Sequence, residues 1–112
     1  MKMTFFGFAD FTSCKFLKVD FQFISMAGAV FKNCVFKDSE LININFGGSQ
    51  IIDTDFNGSN LHNSRFIGAD IIRANFYDCN LKHTLFIQSN AEEVIYKNSN
   101  TAEAFFKRES LQ

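Results

Sequence analysis

A large apolar side chain occupies every fifth position of this chain from Phe6 to Leu81 without a gap. The series runs Phe6, Phe11, Phe16, Phe21, Met26, Phe31, Phe36, Leu41, Phe46, Ile51, Phe56, Leu61, Phe66, Ile71, Phe76, Leu81. It continues through Phe86, Tyr96, Phe106 and Leu111 and slips at Ala91 and Thr101. Strands repeat every two residues and helices every 3.6, so a period of five belongs to neither. It requires a repeating structural unit, and that unit constrains the fold more than any other feature.

The unit has further regularity. Two positions before each large residue stands a small one, among them Ala29, Cys34, Ser39, Ser49, Thr54, Ser59, Ser64, Ala69, Ala74, Cys79 and Thr84. Ile24 and Ile44 depart from that rule. The residue between is mostly polar, as at Asp20, Asn45, Asp55, Asn60, Asp70 and Asn80. Two positions after the large residue glycine recurs, at Gly28, Gly48, Gly58 and Gly68. Two inward residues per five, followed by a bend, describe a chain that turns at every unit. Such a unit has no core alone and becomes stable by stacking on copies of itself.

The segments SNLHNSRF, GADIIRANF and CNLKHTLF resemble the pentapeptide-repeat family, whose unit is written A(D/N)LxX. The resemblance spans essentially the whole chain. It implies an all-β fold, a right-handed quadrilateral β-helix of about five to six coils, roughly 25 Å tall at the inter-strand spacing of a sheet. Four units then make one square coil, and residues twenty apart stack. On that frame Asp53, Arg73 and Glu93 form a ladder of alternating charge, Lys18 faces Asp38, and Asn60, Asn80 and Asn100 form an amide ladder. Asp20 above Glu40 opposes the frame, because like charges stacked closely disfavour each other. From Leu41 to Phe86 the large residues alternate between aliphatic and Phe, which predicts two opposite Phe walls and two aliphatic ones. Residues 1–100 are read as the β-helix, and residues 101–112 as a degenerate last coil or a short capping helix with Thr101 as N-cap.

Composition excludes more than it proposes. Eleven basic and 12 acidic side chains give a net charge of −1, without a field that would draw nucleic acid or an anionic membrane. Twelve of the 16 Phe lie in the five-residue register, so the aromatic excess belongs to the core. No run is long and apolar enough to span a bilayer. The repeat begins at the first residues, which leaves no room for a signal peptide. Three widely spaced cysteines suggest a reducing compartment and not a disulfide framework.

No constellation points to catalysis, a cofactor or a metal. Cys14, Cys34 and Cys79 occupy the small inward position, where a free thiol behaves as a small hydrophobe. His62 and His83 are outward residues without metal-ligand spacing. No nucleophile, base and orienting group meet. The unusual residues are apolar ones where the fold needs none. Ile52, Ile67, Ile72, Ile87 and Tyr77 follow a large residue and are expected to point outward as an interaction patch. Phe5, Phe6, Phe8, Phe105 and Phe106 cluster at the coil ends, where the family resemblance implies end-to-end association into a homodimer.

The function expected is therefore a non-catalytic protein–protein interaction rod or scaffold. The family resemblance implies a bacterial, cytoplasmic setting, with an effector or targeting role and secretion without a signal peptide left open. The alternative it implies is a DNA mimic that binds type II topoisomerase and confers drug or toxin resistance. That alternative requires one acidic face, and the acids here are interspersed with bases.

Overall fold

The structure, a computed structural model, describes residues 7–106. Among these residues nine three-residue strands succeed one another: β1 (Asp10–Thr12), β2 (Lys15–Leu17), β3 (Asp20–Gln22), β4 (Val30–Lys32), β5 (Val35–Lys37), β6 (Glu40–Ile42), β7 (Gln50–Ile52), β8 (Asp70–Ile72) and β9 (Asn90–Glu92). All pairings are parallel and link residues twenty apart. The first face carries five rungs in the order β1-β4-β7-β8-β9, with Phe11, Phe31, Ile51, Ile71 and Ala91 in register. The second and third faces begin as strand pairs, β2-β5 and β3-β6, and continue as single bridges such as Asp55 to Asn75 and Asn60 to Asn80. The fourth face consists of bridges alone, through Ser25, Asn45, Arg65, Leu85 and Phe105.

The chain is thus a four-sided parallel β-solenoid with a twenty-residue turn. The coil count is lower than expected. Between Asp10 and Asn90 the first face closes four turns and not five to six, because only residues that pair with a rung twenty away complete a turn.

The bend of the unit is a left-handed residue. From Phe8 to Asn98 every fifth residue has a positive φ, between 51° and 76°. Only four of these corners are glycine. Two kinds of corner share this feature. At tight corners the N–H of the small residue donates to the carbonyl of the large residue three before it, as Ser64 to Leu61 at 3.0 Å and Ala69 to Phe66 at 3.2 Å. A positive φ two places after the large residue is what a type II turn requires. At wide corners the strand runs one residue further before the same left-handed bend, as after Ile52 at Asp53 (φ 51°). The first two coils have three strands each, and the third and fourth have one. The change coincides with the passage from a mostly Phe interior to alternating Phe and aliphatic residues.

The interior shows the predicted walls. Phe16, Phe36, Phe56, Phe76 and Tyr96 stack face to face, with centroid separations of 4.6, 5.1, 4.9 and 5.6 Å. Opposite them Phe46, Phe66, Phe86 and Phe106 stack at 4.7, 5.0 and 5.1 Å. The two columns meet edge to face, for example Phe56 against Phe66 at 6.1 Å and 89°. Offset stacks and edge-to-face contacts are the arrangements that ring quadrupoles favour, each worth about 0.5–1.5 kcal/mol beyond burial. Leu41, Leu61 and Leu81 form one aliphatic wall and Ile51 and Ile71 the other, all fully buried.

Hydroxyls at the small position stitch neighbouring coils. Ser64 Oγ donates to the Leu41 carbonyl at 2.6 Å, and Thr84 Oγ1 to that of Leu61 at 2.7 Å. The same kind of oxygen accepts backbone donors: the Ile44 N–H reaches Ser64 Oγ at 3.0 Å and the Ser39 N–H reaches Ser59 Oγ at 3.2 Å. Among the described residues no buried side-chain nitrogen or oxygen lacks a partner.

At the C-terminal end one turn of 3-10 helix, Thr101–Glu103, takes the place of a corner. Asn100 precedes it, so Thr101 is not the N-cap, and no side chain caps the turn. The chain then returns to register, with Phe105 bridged to Leu85 and Phe106 stacked on Phe86.

Candidate interaction surface

Of the inward cysteines, Cys34 and Cys79 are buried and Cys14 is half-buried. All three are free thiols. Cys79 Sγ donates to the Phe56 carbonyl at 2.9 Å, and burial pushes its pKa up to about 12. Cys34 donates to the Phe11 carbonyl at 3.1 Å, and burial raises it as well. They take the place that serine holds elsewhere in the repeat, bonding to the coil below. No cluster of three or more metal-ligating side chains occurs among the described residues.

The outward ladders are satisfied internally. Arg73 donates from Nε to Asp53 Oδ1 at 2.6 Å and from Nη2 to Asp53 Oδ2 at 3.1 Å. Those hydrogen bonds hold the Asp53 carboxyl below the usual carboxylate range. Asn100 donates to Asn80 at 3.0 Å, Asn80 to Asn60 at 2.9 Å, and Asn60 to Glu40 Oε2 at 2.9 Å. Asn90 donates to Asp70 at 2.9 Å. Glu40 and Asp20 do lie in register, yet each carboxylate has its own donor, Gln22 Nε2 reaching Asp20 at 3.0 Å. The stacked like charges are thereby tolerated.

The isoleucine patch is smaller than its sequence positions suggest. Ile67 is 37% exposed, Ile52, Ile72 and Tyr77 are half-buried, and Ile87 is only 6% exposed. Ile52 and Ile72 are register partners, and Ile87 lies one rung beyond Ile67. Tyr77 is held by Asn98, whose Nδ2 donates to the phenol oxygen at 3.1 Å.

The three most exposed large apolar side chains lie instead on the first coil, while Ile95, 53% exposed, stands near the other end. Phe8 is 83% exposed, Phe23 56% and Leu17 55%. Phe8 and Phe23 are left-handed corner residues, and Leu17 ends β2. They surround the first rung of the core, where Phe11, Phe16 and Phe21 are only half-buried. Sequence reasoning placed Phe8 in the end group but missed Phe23. Its signal was a bulky aromatic at the position where the repeat, Phe8 apart, puts glycine or a polar residue. At the other end Phe105 is half-buried and Phe106 is 37% exposed. Phe5 and Phe6 lie outside the described residues.

Among the described residues no helix is long and apolar enough to cross a membrane. The sequence profile of Pentapeptide repeats matches residues 14–50 and 44–82, in eight copies. No curated protein matches the chain by sequence. Among solved structures, HetL, a pentapeptide repeat protein involved in heterocyst differentiation regulation from the cyanobacterium Nostoc, aligns with a TM-score of 0.70 at 17% identity. The alignment covers 86% of this chain and 48% of HetL, so the chain spans about half the length of that protein. Rfr23, a pentapeptide repeat protein from the cyanobacterium Cyanothece, aligns over 92% of this chain and 86% of its own, at 13% identity and a TM-score of 0.42. QnrB1, a plasmid-mediated fluoroquinolone resistance protein, aligns over 93% and 75%, at 15% identity and a TM-score of 0.48.

Proposed function

The chain belongs to the pentapeptide-repeat family, and from that premise we infer that it is a non-catalytic binding rod acting on another protein through side chains outside the repeat register. The observation that carries this reading is the concentration of exposed Phe8, Leu17 and Phe23 around the first coil. Large apolar side chains gathered at one end favour association, because covering them removes apolar surface from water. Ile67, with the flanks of Ile52 and Ile72, supplies a second, smaller apolar site further along the rod. A second copy of this chain, joined end to end, is the simplest partner.

The topoisomerase-binding alternative is not favoured. Its physical requirement is an acidic face, whereas Asp53 is paired with Arg73 and 11 basic side chains are interspersed among the 12 acidic ones.

The test compares the wild type with the Phe8→Asp/Phe23→Asp double variant, both checked for an unchanged circular dichroism spectrum. A dimer seen by light scattering in the wild type and lost in the variant supports end-to-end association. A host protein crosslinked to the wild type and not to the variant supports a different partner at the same end. Identical behaviour of the two proteins removes the first coil as the interface.

A further inference from the structure

The coil brings together the chain's two histidines, which the sequence separates by 21 residues. His62 follows Leu61 on one coil, and His83 is the left-handed corner of the next, with φ 59°. Their ring centres lie 5.7 Å apart and the rings are tilted by 34°. We propose that His62 and His83 form a two-imidazole surface site for a divalent transition-metal ion of the zinc or nickel type.

Three observations support this. The first is distance. A zinc ion bound at 2.0–2.1 Å to a ring nitrogen lies about 3.2 Å from the ring centre. Two rings sharing such an ion at angles from tetrahedral to linear are then about 5.2–6.4 Å apart, a range that contains the observed separation. The second is the tautomer. His62 Nδ1 lies 3.1 Å from the Lys82 carbonyl, which can only accept, so in the neutral ring Nδ1 is the protonated nitrogen and Nε2 the one with the lone pair. A ligating histidine characteristically donates its other ring N–H to a backbone carbonyl in this way, which fixes its orientation and raises its basicity. The third is ring placement. His83 stacks on Phe105 at 6.2 Å and 15°, and its backbone N–H donates to the Glu103 carbonyl at 2.8 Å. The 3-10 turn and the return of Phe105 to register therefore set the His83 ring against His62.

The charged neighbours in sequence and backbone contact are Lys82, which precedes His83 and opposes a cation, and Glu103, whose carboxylate accepts from Asn100 Nδ2 at 3.0 Å. Imidazole suits zinc, copper and nickel, with water completing the coordination. The ion would tie one coil to the next and stabilise the folded chain by mass action.

Zinc chloride titrated into the full chain tests this by calorimetry, by thermal melting and by imidazole nitrogen chemical shifts. The expected result is one ion per chain, a raised melting temperature, and a zinc-dependent shift at His62 Nε2 with Nδ1 little changed. H62Q and H83Q are each expected to weaken binding at least tenfold, since one ligand remains, and Lys82→Ala to tighten it a few-fold. The proposal is overturned if the H62Q/H83Q double variant binds zinc as well as the wild type does. It is equally overturned if zinc neither binds nor shifts the imidazole nitrogens of the wild type, or if each single variant binds as tightly as the parent.

Discussion

The Ser64 hydroxyl donates to the Leu41 carbonyl and accepts the Ile44 N–H inside a wall that solvent does not reach. Ser64→Ala leaves both groups buried without that partner, and an unsatisfied buried polar group costs about 1–3 kcal/mol. Urea denaturation should show a loss of that size, with an unchanged dependence on denaturant concentration. The buried thiols set a second expectation. With its pKa pushed up to about 12, Cys79 holds little thiolate at neutral pH. Iodoacetamide should label the half-buried Cys14 first and reach Cys79 only on unfolding, which mass spectrometry of timed digests can follow. Burial also pushes the Tyr96 phenol up to about 12 from 10.0, and Cys79 starts from 9.0. The unfolded chain releases both protons at lower pH than the folded one does. Their contribution to stability is complete below pH 9.0 and is lost as pH rises to about 12. Tyr96→Phe should make the fall between pH 10.0 and about 12 shallower in alkaline melts.

At the scale of the five-residue unit, the corner is the element that carries strain. Left-handed backbone costs an ordinary residue about 1–2 kcal/mol, and asparagine is among those that tolerate it best. Phe23 adopts φ 55° while its side chain is 56% exposed, so the fold gains little from its bulk. Phe23→Asn is expected to raise the melting temperature, and Asp78→Val, a β-branched residue at φ 55°, to lower it. Scanning calorimetry distinguishes the two directions. Gly58 is constrained twice, by φ 76° and by the Asp38 carboxylate, which lies where a Cβ would stand. The inward half of the unit was legible in the sequence, because volume and polarity alternate there with a fixed period. Leu41, Phe46, Ile51 and Phe56 mark their walls by residue type and spacing alone. The choice between tight and wide corners was not legible. The same left-handed residue serves both, and the difference is one residue of strand that pairing with the next coil decides. The difference in exposure between Ile87 and Ile67 was not legible either, since both follow a large residue in the same repeat position.

For the whole molecule, the twenty-residue turn makes deletion a sharp probe of packing. Removing residues 51–70 keeps every ladder in phase, setting Phe36 beside Phe76 and Phe31 beside Ile71. The shortened rod should fold with its β spectrum intact and a lower melting temperature. Removing residues 51–65 shifts the walls by one face and sets Phe against aliphatic columns. Overpacked cores lose about 1–3 kcal/mol per mismatch, and several at once should abolish cooperative unfolding. The paired ladders Asp53–Arg73 and Asn60–Asn80–Asn100 were readable from spacing once the turn length was assumed. The aromatic first coil was only partly readable, because exposure at the end of a solenoid depends on what stands beyond it. The asparagine row has a direction as well as a spacing. Backbone bonds between coils alternate, Phe36 donating forward to Asp55 and Asp55 back to Cys34, so their dipoles cancel along the axis. From coil to coil the amides of Asn100, Asn80 and Asn60 donate the same way and terminate on the carboxylate of Glu40, with Asn100 also donating to Glu103 Oε1 at 3.0 Å. One edge of the rod is therefore polarised lengthwise, like a compass needle, and a charged partner sliding along that edge would meet a potential that tells it which way round the rod is lying.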